Sequence, residues 1–154
     1  MTISHNLVPI DFSEDSLQAF RTACELARRF AAKLDLLNVI EPLPPAADLM
    51  LINAYDDIRR DAEEDLAKLP CAELPADSVQ RFVRVGYAAQ TITDFARGEG
   101  IDLIVIGTCG RTGLAHLLMG SVAERVVRTA PCPVFVARRK PQTVPDAPPK
   151  STSP

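Results

Sequence analysis

Two histidines, four cysteines and no clustered positive charge are all that this 154-residue chain offers to chemistry that depends on them. The cysteines, Cys24, Cys71, Cys109 and Cys132, form no CxxC pair, which removes the spacings of a zinc site or a thioredoxin-like motif and leaves free thiols. Cys24 and Cys132 are expected to act as small buried hydrophobes, while Cys109, inside a glycine-rich stretch, is the one open to a redox role. Lys and Arg number 17 against 20 Asp and Glu, a net charge of −3, and the domain body holds no basic cluster to neutralise nucleic-acid phosphates. No apolar run approaches the roughly 20 residues that span a bilayer. The N-terminus, MTISHNLVPID, starts polar with an early Pro and Asp, unlike a signal peptide. Neither nucleic acid nor membrane is expected as a partner, and a cytoplasmic location is. Candidate general bases are few: His5 precedes the first expected strand, His116 reads as a surface or interface residue, and no Ser-His-Asp or Cys-His arrangement is legible.

What is present is the composition of one ordinary soluble domain, 47% apolar and 24% charged, large enough to fold without a disulfide or metal staple. Residues 5–10 read as a strand, Ser13 as the N-cap of a helix with Glu14 and Asp15 in its first turn, and Leu17, Phe20, Cys24, Ala27 and Ala31 as that helix's apolar face. Further strands are expected at 33–40, 78–85, 101–106 and 134–137, and further helices at 46–69, 88–97 and 121–130. In the long second helix, Leu49, Ile52, Ile58, Ala62, Leu66 and Leu69 are taken as inward. The Pro-rich segment 139–154 lacks periodic apolar positions and is expected to be a disordered tail beyond a domain of residues 1–138. Strands alternating with helices imply βαβ units wound into a parallel sheet covered on both faces. Ligands then bind beyond the strands' carboxyl ends, where strand order reverses, and Asp11, Val39 and Gly107 all fall at such ends.

The stretch GTCGRTGLAHLLMGS, 107–121, follows the apolar run IDLIVI and places Gly107, Gly110 and Gly113 at intervals of three. Backbone N–H groups there could converge on phosphate oxygens. Gly120 and Ser121 then open a helix whose first amides favour an anion. Plainer readings exist. The glycines could be turn residues, and Ser121 with Glu124 could form a capping box that needs no ligand. The stretch is neither a P-loop, since no Lys-Ser or Lys-Thr follows the glycines, nor a GxGxxG fingerprint.

VPIDFSEDS, LLNVIE and DLIVIGTCGRTGLAHLLMGSVAERVVRTAPCPVFVAR resemble signature segments of the universal stress protein family, across residues 5–138. The spacing Gly107, two residues, Gly110, nine residues, Gly120 and Ser121 resembles the pattern that marks ATP-binding members. The resemblance implies an α/β three-layer sandwich with a five-stranded parallel sheet, Rossmann-like, of the adenine-nucleotide alpha-hydrolase type. It also implies roles. Pro9, Ile10 and Asp11 would line the adenine pocket, the backbone of Val39 would meet the base edge, and Gly107, Thr108, Gly110, Arg111, Thr112 and Gly113 would wrap ribose and phosphates. Gly120, Ser121 and Val122 would hold the phosphate end, with Mg2+ carried mainly by the phosphates. Two departures from the family pattern are Cys109, where many members carry His or another polar residue, and Ala123, where nucleotide binders often carry Thr or Ser. One lost hydroxyl contact of roughly 0.5–1.5 kcal/mol would weaken binding without abolishing it. The implied function is a nucleotide-dependent regulatory module in stress response, with at most slow ATP hydrolysis and an unidentified downstream protein partner. It would form a homodimer through the last strand, 134–137. The alternatives are an interaction protein without nucleotide binding, or a true nucleotide hydrolase or phosphotransferase.

Overall fold

The computed structural model describes residues 2–42, 49–108 and 119–138; the proline-rich segment 139–154 lies outside them. Most of the strands are short, largely apolar runs, while the one at Val79–Val85, VQRFVRV, alternates apolar and polar residues. β1 (His5–Pro9), β2 (Lys33–Ile40), β3 (Val79–Val85), β4 (Leu103–Gly107) and β5 (Val134–Ala137) form one sheet in the order β3-β2-β1-β4-β5. All four pairings are parallel. Strand order runs leftward from β1 and rightward from β4, so the reversal lies between those two strands.

Four helices connect the strands: α1 (Glu14–Phe30), α2 (Leu49–Lys68), α3 (Ala88–Gly98) and α4 (Ser121–Thr129). Because side chains alternate across a strand, the buried sheet feeds two cores. Val8, Leu34, Leu36 and Val105 pack under α1 and α2 with Phe20, Ala23 and Leu66. Leu7, Leu37, Ile104 and Ile106 pack under α3 and α4 with Ile92, Phe95 and Val126. The result is the expected α/β sandwich of three layers.

Two helical faces differ from the expectation. On α1 the buried positions are Ser16, Ala19, Phe20, Ala23 and Ala27; Leu17 and Cys24 only flank them and Ala31 is exposed. Small alanines let the helix sit close on the sheet, so the stripe centres on them rather than on the bulkier flanking residues. Ala31 instead caps the helix in the left-handed region, at φ 49°. On α2 the inward face of the described side chains runs through Ala62 and Leu66, with Tyr55 and Leu69 partly buried against the same core. Ile58 is 40% exposed, among ion pairs such as Arg59–Glu63 and Arg60–Asp57 on the solvated face. Charged neighbours in sequence hid that rotation.

Candidate functional site

The carboxyl ends of β1 and β4 lie side by side where strand order reverses. Ile10 N–H still donates to Leu37 O at 2.8 Å, prolonging β1 alongside β2. The chain then turns sharply through Phe12, which holds a φ of 63° that side chains rarely adopt. A local hydrogen-bond set fixes this turn. Asp11 Oδ1 accepts from Ser13 N at 3.0 Å and from Ser13 Oγ at 2.5 Å. Ser13 Oγ, the N-cap oxygen, accepts from Ser16 N at 3.2 Å. Asp11 N and Leu17 N are also engaged, the first by Ser16 Oγ and the second by Ser13 O. The amino end of α1 is therefore served by its own side chains.

Asn38, the one amide side chain in β2, donates from Nδ2 to Ile10 O at 2.8 Å while 8% exposed. It ties the end of β1 to β2 beside Val39, one of the residues expected in the pocket. The sequence reading passed over it. A lone amide inside KLDLLNVI was the available signal, because a buried polar side chain needs a partner.

Gly107, the last residue of β4, is a glycine for a reason of packing. A Cβ there would meet Asp15 C and O at 2.7 Å and Ser16 N at 3.0 Å. The first turn of α1 rests directly on the end of β4, and bare backbone allows it. Thr108 completes the contact by donating from Oγ1 to Asp15 Oδ2 at 2.8 Å. Gly120 N–H then donates to Thr108 O at 2.7 Å, so the chain leaving β4 returns to its point of departure before α4 begins. Gly110, Arg111, Thr112 and Gly113, together with Cys109 and His116, lie outside the described residues.

The start of α4 departs from the capping-box alternative. Gly120, not Ser121, is the N-cap, at φ −62° and ψ 151°, and no side-chain hydrogen bond caps the helix. Glu124 N donates to Gly120 O, while Glu124 Oε1 accepts from Arg128 at 2.8 Å, away from any reciprocal cap. A serine one residue inside the helix cannot serve as its own N-cap, which is why the box fails. Among the described residues no side chain caps the first amides of α4, in contrast to those of α1. Ala123, 4% exposed, packs into the apolar core under α3 and α4.

A cavity of about 550 Å³ opens between α3 and α4, bordered by Ser121, Val122, Arg125, Tyr87 and Glu41. That is within the range of small-molecule sites. It adjoins the α4 part of the expected pocket and does not touch Pro9, Ile10 or Asp11. Among the described residues no group of three or more His, Cys, Asp or Glu lies together to hold a metal ion. Nor is any helix among them long and apolar enough to cross a membrane. The carboxylates with displaced acidity lie elsewhere. Burial raises Asp35, which pairs with His5 at 2.9 Å. Hydrogen bonds from Ser4 lower Asp102. Both residues sit at the amino ends of the strands.

A doubly wound parallel α/β sheet, with a loop and a helix start gathered over its topological reversal, defines the class. Within it the chain belongs to the universal stress protein family, which it matches over residues 3–138. It is 34% identical over 139 residues to the universal stress protein MJ0531 of Methanocaldococcus jannaschii, covering 86% of this chain and 81% of that one. Among solved structures, the universal stress protein UspA from Lactobacillus plantarum superposes with a TM-score of 0.76 at 29% identity, covering 90% and 99% of the two chains. The universal stress protein from Archaeoglobus fulgidus in complex with dAMP superposes with a TM-score of 0.56 at 21% identity, covering 89% and 99%. At that identity it speaks to the fold.

Proposed function

We propose that this chain is an adenine-nucleotide-binding regulatory module, with ATP as ligand, Mg2+ held mainly by its phosphates, and hydrolysis slow at most. The observation that carries the reading is the uncapped start of α4, with Gly120 fastened to Thr108 O at the end of β4. Amides without side-chain partners at a helix start attract negative charge through their orphan donors and the helix dipole. Pro9, Ile10 and Asp11 at the end of β1 and Val39 on β2 would take the base. Thr108 and the segment carrying Gly110, Arg111, Thr112 and Gly113 would pass along ribose and phosphates to Gly120, Ser121 and Val122. Mg2+ keeps water and phosphate oxygens as ligands, so it needs no carboxylate cage. The dAMP complex of the Archaeoglobus protein puts an adenine nucleotide on this fold, and the case for this chain rests on its own residues.

Occupancy would be read through assembly and through a downstream protein partner. β5 is an edge strand, and Phe135 on it is 46% exposed. Pairing with a second copy of β5 would satisfy that edge. The ligand is tested by heat-denaturing freshly purified protein and chromatographing the supernatant, with calorimetry of the stripped protein against Mg-ATP. Released adenine nucleotide and a saturable heat are expected. No nucleotide, no heat and no thermal shift would overturn the reading.

A further inference from the structure

Cys24 on α1 and Cys71, just past the end of α2, are half-buried free thiols that pack against the same apolar core. Cys71 adds to burial in raising the Cys24 thiol. An independent contact holds the two segments together, since Arg28, one turn beyond Cys24, pairs with Glu73, two residues beyond Cys71, at 3.4 Å. A third element fixes the surroundings. Arg81 of edge strand β3 donates from Nε to Leu66 O at 2.9 Å and from Nη2 to Leu69 O at 3.3 Å. That anchored guanidinium also sets Nη2 3.7 Å from Cys71 Sγ. A fixed cation beside one thiol, with a second thiol on the same apolar core, suits a nucleophilic and a resolving cysteine.

We propose that Cys24 and Cys71 are a redox-responsive pair that a hydroperoxide closes into a disulfide, stapling α1 to the segment between α2 and β3. The Cys71 sulfur, which Arg81 Nη2 approaches to 3.7 Å, attacks the peroxide and gives up its proton to the departing oxygen. The O–O bond breaks, a sulfur–oxygen bond forms, and the remaining oxygen leaves as water or an alcohol. Burial first, and then the neighbouring Cys71, pushes the Cys24 thiol up to about 12, so it keeps its proton until it reacts. Cys24 sulfur displaces the oxygen from Cys71, the new S–S bond forms, and its proton leaves with the hydroxide as a second water. Two electrons pass from the two sulfurs to the peroxide. This site stands apart from the nucleotide reading, and neither depends on the other.

The test uses the full chain, reduced, then treated with hydrogen peroxide, blocked with iodoacetamide and digested with trypsin without reductant. Peptide 22–28, TACELAR, is expected to be joined to peptide 69–81, LPCAELPADSVQR, lighter than their sum by two hydrogens. The oxidised protein should melt higher than the reduced by roughly 5–15 °C, because the cross-link closes a long loop in the unfolded chain. Dithiothreitol should abolish both signals, and the oxidised and reduced forms of Cys71→Ser should melt together. The two peptides recovered singly, as alkylated thiols or sulfinic acids, or joined instead to the peptides of Cys109 or Cys132, would overturn the proposal.

Discussion

Gly120→Asp pulls stability and ligand binding in opposite directions. The N-cap backbone, at φ −62° and ψ 151°, suits any residue. A carboxylate there would accept from the Val122 or Ala123 amide and lie on the positive end of the α4 dipole. Replacing a glycine cap contributes a few tenths of a kcal/mol and the charge about 0.3–1 more. The expected gain of roughly 0.5–1.5 kcal/mol raises Tm by about 1–6 °C. The same carboxylate takes donors that the phosphate needs, each worth about 1.5–3 kcal/mol to a charged acceptor. It also sets a like charge about 5 Å from the phosphates, a repulsion of about 1–3 kcal/mol at effective dielectric constants from 80 down to 20. Together these come to about 3–5 kcal/mol, or a Kd for Mg-ATP weaker by roughly two to four powers of ten. Differential scanning fluorimetry and isothermal titration calorimetry on one preparation measure both. A higher Tm with unchanged Kd would show that the α4 amides do not hold the phosphates, and a lower Tm would refute the capping argument itself.

Gly107→Ala drives a methyl group to 2.7 Å from the Asp15 backbone; the first turn of α1 must give way, and thermal melts should show a loss of about 1–3 kcal/mol. An unchanged Tm would mean that the contact relaxes freely. Hydrogen bonds from Ser4 hold the Asp102 carboxyl below the usual carboxylate range, so the folded state keeps the charge to lower pH than the unfolded chain does. That stabilisation is present above the ordinary carboxylate pKa near 4 and is lost as pH falls through the lowered value. Wild type should therefore out-melt Asp102→Asn at pH 7, with the gap closing toward pH 3; a gap that widens in acid would reverse the sign. Phe135→Lys on the exposed edge strand should shift sedimentation from a dimer to a monomer mass, and a wild-type monomer at micromolar concentration would remove the edge pairing altogether.

β2 and β5 were legible to the residue, because KLDLLNVI and VFVA are apolar runs bounded by turn residues and a proline. Ser13 was legible as a cap because its partners lie within three residues. The parallel pairing of the strands followed from their alternation with helices, whereas their order did not. Less legible was whatever depends on long-range contact. The bond between Thr108 and Asp15 joins residues 93 apart, and it gives Gly107 a packing role that no spacing announces. The α1 face centres on alanines, which carry little weight in an apolar pattern yet decide how closely a helix can approach. Ser121 invited a capping box from its spacing to Glu124, while the backbone begins the helix one residue earlier. The sheet's carboxyl end gathers the described residues expected around a nucleotide, but only Ser121 and Val122 of them reach the cavity between α3 and α4.

The clasp between Thr108 O and Gly120 N separates a frame from an exchangeable insert. With both ends pinned 2.7 Å apart, residues added or removed between them need not disturb strand register or the seat of α4, and lengthening a closed loop adds little entropic penalty. Grafting a segment of different length and composition across this bridge should redirect what the domain recognises while leaving its melting behaviour intact.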